Sequence, residues 1–273
     1  MIIYNLHTHS CRDDGKETPE SYLHAAKTLG LSAIGFTAHA PIPDPPHWCL
    51  KPENLQAYTS EILRLKKLSG NDLKVYHGLE IDYIPHLSAD FAGWRQRMQL
   101  DYCIGSVHLV KGENGIWFID GPPDGYFQGV NTLFGGDYRK AVTAFYHQSM
   151  EMVLTQSPDI IGHPDKVKMH NKEQHFSQNE PWYRALTEKL IGALKEKGTI
   201  VELNTRGLYT GKCNELFPST FFLEQCLHYK LPVMVSTDAH HPQQLNSHFQ
   251  EACNLLKDIG FKKTTTPFFE APL

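Results

Sequence analysis

Short runs of β-branched and apolar residues alternate along the chain with longer stretches in which apolar residues recur at helical spacing. The short runs predict strands at 2–6, 33–37, 74–79, 102–107, 159–162, 199–203 and 232–236. The longer stretches carry helix punctuation. Thr18-Pro19-Glu20 reads as a capping residue followed by proline at the first helical position, and Gly30 stands where a terminating glycine belongs. The same grammar predicts helices over 52–69, 181–197 and 242–259, ended by Gly70, Gly198 and Gly260. This alternation implies a parallel sheet, for which a closed barrel is the natural form. Seven strands are legible rather than the eight of a standard (β/α)8 barrel. Segments 40–52, rich in proline, and 111–136, rich in Gly, Pro and Asp, read as long loops, with the first near the barrel mouth. The tail 262–273 carries no clear signal. No repeat or linker divides the chain, so residues 1–273 are expected to form a single domain.

Polar residues fall at the ends of these strands. The first ends in His7-Thr8-His9, the second in His39, the third in Glu80 and the fourth in His108. The fifth ends in His163, the sixth in Asn204 and Arg206, and the seventh in Asp238 and His240. In an α/β barrel the C-terminal strand ends share one rim, which is where active sites are built. Alternate residues of a strand point the same way, so His7 and His9 can share an ion. Adding Asp14 gives nine candidate ligands: His7, His9, Asp14, His39, Glu80, His108, His163, Asp238 and His240. Imidazole and carboxylate without thiolate suit zinc, manganese or iron(II). Nine ligands exceed what one tetrahedral ion takes, so two or three divalent ions are expected. Glu80 is the best bridge, since one carboxylate can serve two ions.

Composition narrows the function. The chain is 41% hydrophobic and 21% charged, enough to bury a sizeable core. Its net charge of −4 gives no sign of a nucleic-acid or anionic-membrane partner. The start MIIYNLHTHS has no basic, apolar leader, and no apolar run nears the roughly 20 residues needed to span a bilayer. Six scattered cysteines without a CxxC pair argue against a zinc ribbon and for a reducing, cytoplasmic setting. Sixteen histidines are many. His24, His147, His228 and His248 are expected inside helices and His77 within a strand. His47, His86, His170, His175 and His241 are expected in loops or at element ends.

In order along the chain, HTHSCRDDG (7–15), TAH (37–39), GLEIDY (78–83), GSVH (105–108), IGHPD (161–165), ELNTRGL (202–208) and STDAH (236–240) resemble the PHP family of metal-dependent phosphoesterases. GLEIDYIP and the IGHPD spacing most resemble its histidinol-phosphatases. The resemblance implies a distorted (β/α)7 TIM-like barrel with a trinuclear metal site. It would put one ion on His7, His9, Glu80 and Asp238, and a second on Glu80, His108 and His163. Asp14, His39 and His240 would hold a third. It also selects Asp14 over Asp13 by spacing, although some relatives carry histidine there.

The expected chemistry is hydrolysis of a small phosphate monoester, by resemblance L-histidinol phosphate in histidine biosynthesis, through a hydroxide formed between ions. Arg206, Asp238 and His240 are the candidate catalytic groups. Arg206 offers a planar fork for phosphate oxygens, with Lys168 a weaker phosphate candidate. Asn204 reads equally as a ligand orienter or a substrate contact, and Tyr209, Asp165, Tyr83 and Trp117 are candidates for the wall that meets the rest of the substrate. The alternatives are a PHP-type nuclease or nucleotide phosphatase, which calls for a basic groove, and a non-catalytic metal-binding regulatory domain. Oligomeric state is not legible.

Overall fold

The computed structural model describes residues 3–43, 46–88 and 90–273. The first position of the expected strand 2–6, and Asp44 and Pro45 of the expected loop 40–52, lie outside the described residues. In chain order the elements are β1 (Tyr4–Asn5), α1 (Pro19–Thr28), β2 (Ala33–His39), α2 (Leu55–Ser69), β3 (Lys74–Asp82), α3 (Phe91–Met98) and β4 (Tyr102–Ser106). Next come β5 (Leu109–Gly112), β6 (Gly115–Phe118), α4 (Pro123–Phe134), α5 (Tyr138–Gln156), β7 (Ile160–Ile161) and α6 (Pro181–Lys197). The last are β8 (Ile200–Asn204), α7 (Arg206–Tyr209), α8 (Thr220–Tyr229), β9 (Val233–Ser236), α9 (Phe249–Ile259), β10 (Lys263–Thr265) and β11 (Glu270–Pro272).

The seven expected strands form one parallel sheet in the order β1-β2-β3-β4-β7-β8-β9. Its edges meet through a parallel bridge between Thr8 and Ala239, where His9 N donates to Ala239 O (2.9 Å) and Ala239 N to His7 O (3.1 Å). The sheet is therefore a nearly closed barrel wrapped by helices. Both faces are covered, so every residue of β2, β8 and β9 is buried. Tyr102 crosses the interior and donates to Leu6 O (2.5 Å). A Cβ at Gly35 would fall 2.0 Å from its hydroxyl and one at Gly78 2.9 Å from its ring, so both positions must lack one. The helices seal the outside by spacing: Tyr183, Leu186, Leu190 and Leu194 of α6 lie on one face and are buried. Each such leucine contributes roughly 1.5–3 kcal/mol. At α1 the cap forms as the residues dictate, with Ser21 N donating to Thr18 Oγ1 (3.3 Å).

Two expectations need correction, and one open segment is settled. Segment 111–136 is not a long loop. It holds β6, all of α4 and the end of β5, and Lys111 N is tied to Gln148 Oε1 of α5 (2.9 Å). The helix expected over 242–259 starts only at Phe249. Before it, Pro242–Gln244 make a 3-10 turn that lets Gln244 Oε1 accept from His240 N (2.8 Å), and His248 caps the helix with φ 54° instead of lying within it. The tail is a hairpin, β10 against β11.

Candidate metal centre

Register brings the nine candidate ligands together. His39, the last residue of β2, pairs directly with Glu80 of β3, and Asn204 of β8 pairs with Ser236 at the end of β9. All the histidines and carboxylates of the set are buried except Asp14, which is half-buried. The loop after His9 folds back over it, and a Cβ on Gly15 would fall 2.4 Å from the His9 carbonyl. That fold delivers Asp14 to the rim, with its Oδ1 3.1 Å from His240 Nε2 and 4.0 Å from His39 Nε2. Glu80 lies at the centre. Its Oε1 is 3.0 Å from His163 Nε2 and 3.7 Å from His108 Nε2. Its Oε2 is 3.1 Å from His39 Nδ1, 3.3 Å from His7 Nε2 and 3.4 Å from His9 Nε2. Asp238 Oδ1 completes the ring, 3.4 Å from both His9 Nε2 and His240 Nδ1.

Three further carboxylates, whose roles are not evident from the sequence, set the imidazoles. Glu202 lies 2.6 Å from His7 Nδ1, Asp13 2.5 Å from His9 Nδ1, and Asp82 3.0 Å from His108 Nδ1. Each thereby fixes the tautomer and turns the ring's Nε2 toward the cluster. Glu202 also accepts from His163 N (2.7 Å) and Ser236 Oγ (2.5 Å). His163 (φ 28°) and Asp238 (φ 50°) hold left-handed backbone, a conformation that costs non-glycine residues about 1–3 kcal/mol.

Five of the atoms aimed at the centre lack partners. His7 Nε2, His9 Nε2, His39 Nδ1, Asp14 Oδ1 and Asp238 Oδ1 are buried without a hydrogen bond among the described residues. Nε2 of His108 and Nε2 of His163 face each other at 3.2 Å. Burial opposes charge on His9, yet Asp13 and Asp238 outweigh it and push its pKa up to about 10. Burial would likewise raise Glu80, but His7, His39 and His108 hold it well below the usual carboxylate range. The cluster thus calls for positive charge, and divalent cations fit the donor set. Three groups have ligand atoms mutually within 4.8 Å: His7, His9 and Glu80; His39, Glu80 and His108; and His9, Asp14, His39 and His240.

A cavity of about 890 Å³ opens above the cluster, bordered by His39, His108, His240 and Arg206 on its floor and by Trp48, Phe118, Asp120 and His170 higher up. Arg206, first residue of α7, donates from Nη1 to Asp238 O (3.1 Å) and Tyr209 Oη (3.3 Å). Asn204 directs its amide to Glu202 Oε2 (3.1 Å) and Asp238 Oδ2 (3.3 Å), and its oxygen accepts from Arg206 N (2.9 Å). It therefore orients the site. Tyr209 stands behind Arg206, its hydroxyl donating to Thr237 O (2.9 Å).

Lys168 does not line the cavity above the cluster. The 3-10 turn after His163 buries it on the far side, paired with Asp165 (2.9 Å) and Glu215 (3.1 Å). Lys166, two residues earlier, lies beside the site with Lys212, and Lys16, Lys172 and Lys212 line the cavity itself. Lys166 bonds Asp120 Oδ2 (2.8 Å) and borders a small hollow with Asn204, Arg206 and Asp238. The wall candidates Asp165, Tyr83 and Trp117 are engaged elsewhere, Asp165 with Lys168, Tyr83 with Glu151 (2.7 Å) and Trp117 with Tyr126 O (3.0 Å).

No helix among the described residues is long and apolar enough to cross a membrane. A Deinococcus radiodurans protein named a probable histidinol-phosphatase is 28% identical over 96% of this chain and 94% of its own length. The histidinol-phosphatase of Bacillus subtilis is 25% identical over 86% of this chain and 92% of its own length. The fold matches the crystal structure of a Listeria monocytogenes protein at a TM-score of 0.79 (19% identity, 91% of this chain and 99% of that one). It also matches histidinol phosphate phosphatase of Lactococcus lactis, solved with Zn, L-histidinol and phosphate, at 0.68 (18% identity, 98% of each chain). The PHP domain profile matches residues 4–206, a span that carries β1 through β8 and all the candidate ligands except Asp238 and His240. By that match, the chain belongs to the PHP domain family.

Proposed function

We propose that this protein is a metal-dependent phosphomonoesterase that releases inorganic phosphate from L-histidinol phosphate. The observation that carries the reading is the convergence of partnerless, buried nitrogens and oxygens around Glu80 beneath an open cavity. Its relatives supply the substrate, since those of Deinococcus and Bacillus bear the histidinol-phosphatase name over nearly their whole lengths.

His7, His9, Asp14, His39, Glu80, His108, His163, Asp238 and His240 would hold two or three ions of zinc, manganese or iron(II). Divalent ions bound there supply a water acidic near neutral pH and charge to offset the phosphate oxygens. The chain's own groups do the rest. Glu202, Asp13 and Asp82 keep the rings aimed inward. Arg206 presents its fork at the cavity floor, where it can grip two phosphate oxygens, and Lys166 adds a second cation held ready by Asp120. Asn204 and Tyr209 keep Arg206 and Asp238 in place. Neither the nuclease nor the regulatory reading has a feature of its own: every ligand position carries a competent side chain.

The test is phosphate release from a panel of small monoesters with manganese, zinc and iron(II) each supplied, before and after exhaustive chelation. L-histidinol phosphate should be the preferred ester, and chelation should abolish turnover. Activity that survives removal of all transition metal refutes the reading.

A further inference from the structure

The floor accounts for phosphate but not for the rest of the cavity. A volume of about 890 Å³ is in the range that holds a drug-sized ligand, far more than one phosphate group needs. Above the polar floor, the lining includes two large aromatic rings. Trp48, from the proline-rich segment, and Phe118, at the end of β6, stack with ring centroids 5.9 Å apart and planes 7° from parallel. Trp48 also stands edge-on to His39 (4.8 Å), so this apolar surface begins at the candidate ligands. Neither ring is spent on the core. Trp48 is half-buried and Phe118 is 37% exposed, whereas its neighbour Trp117 points the other way and is buried.

His170 lines the same cavity. Its Nε2 lies 2.9 Å from Gly121 O, a carbonyl that can only accept, so Nε2 carries the proton. Nδ1 is then a lone-pair acceptor, and it has no hydrogen bond among the described residues. Burial favours this neutral form.

We propose that Trp48, Phe118 and His170 form the subsite for the leaving alcohol, one that selects a flat ring bearing an N–H. The aromatic pair takes the ring by stacking or edge contact, and His170 Nδ1 accepts from its nitrogen. This inference rests on the phosphatase reading of the same site.

The experiment compares kcat/KM for L-histidinol phosphate and for 2-aminopropyl phosphate, which keeps the amine and the ester but lacks the ring. Wild type should prefer the ring-bearing ester. Trp48→Ala should cut that preference roughly three- to tenfold, mainly through KM, and Trp48→Phe should keep most of it. His170→Phe should reduce it by a similar factor. Phe118→Ala, at an exposed ring, should shift it in the same direction and keeps the test readable if Trp48→Ala fails to fold. If the variants slow both esters equally, the aromatic pair only excludes water and the proposal is overturned. If wild type shows no preference for the ring, or hydrolyses neither ester, the functional reading fails first, and that is visible before any variant is made.

Discussion

The floor of the cavity and its upper wall are built by opposite means. The floor stands on strand ends, and each of three imidazoles is fixed from behind by its own carboxylate. The wall is made of side chains from connecting segments, Trp48 and His170, and from the end of the hairpin strand β6, Phe118. The floor imidazoles are buried and locked; on the wall Trp48 and Phe118 stay partly open, with His170 buried beside them. Chemistry that must hold ions within tenths of an ångström is given to the sheet, and recognition of the variable part of a substrate is given to loops.

Substitutions can break this contrast in graded ways. Glu80→Gln should be the most damaging, because both carboxylate oxygens face histidines of the cluster. The loss in kcat/KM should exceed about a hundredfold, the upper end for residues that merely support a ligand, and should exceed that of Asp14→Ala at the rim. Wild-type rates for Glu80→Gln at saturating metal contradict the bridging role. Arg206→Lys should follow, with a loss of about ten- to a hundredfold, metal content unchanged and weaker inhibition by inorganic phosphate. Unaltered phosphate inhibition would show that the ions alone grip phosphate.

Lys168→Met should leave kcat/KM at the wild-type level, because the amine lies behind the floor. It should cost about 3 kcal/mol of stability in denaturant unfolding by stranding buried Asp165. A loss of phosphate affinity instead would return Lys168 to the site.

The smallest effect on activity is expected at His77, which is fully buried on β3 with no partner for either ring nitrogen among the described residues. Burial pushes its pKa down from 6.5 to about 4. The unfolded chain therefore binds this proton first. The stability from His77 is present above pH 6.5 and is lost as pH falls toward 4, about 3 kcal/mol in all. His77→Phe should flatten that part of the stability–pH curve relative to wild type while leaving turnover untouched. An unchanged slope would show that the floor carboxylates govern acid unfolding alone.

The floor was legible in the sequence and the wall was not, for the same physical reason. Strand alternation and strand ends fix where a side chain points, so His7, His9, His39 and Glu80 could be placed together from spacing alone. Glu202 went unassigned a role although it sits two residues before Asn204, on the same side of the strand; a charge inside the apolar run Ile200–Asn204 was the available signal. The sequence offers Lys168 and gives no sign of Lys166, because the direction each lysine takes is set by the 3-10 turn Lys166–Lys168, which no periodicity announces. Segment 111–136 reads as loop because its glycines and prolines dominate, yet they mark the turns around a hairpin and the start and stop of α4. Stacking of Trp48 on Phe118 joins two distant segments and leaves no periodicity to detect.

The Thr8–Ala239 bridge carries one more consequence. It is the seam of the barrel, and four of the nine candidate ligands flank it, His7 and His9 on one side and Asp238 and His240 on the other. Ions held by these residues would rivet the first strand to the last. Metal binding and ring closure are then one linked equilibrium, so metal concentration should raise the melting temperature as it raises activity. The seam joins residues from far-separated parts of the chain, whose meeting carries the greatest loop-closure entropy, and it should therefore be the last part of the barrel to form and the first to open.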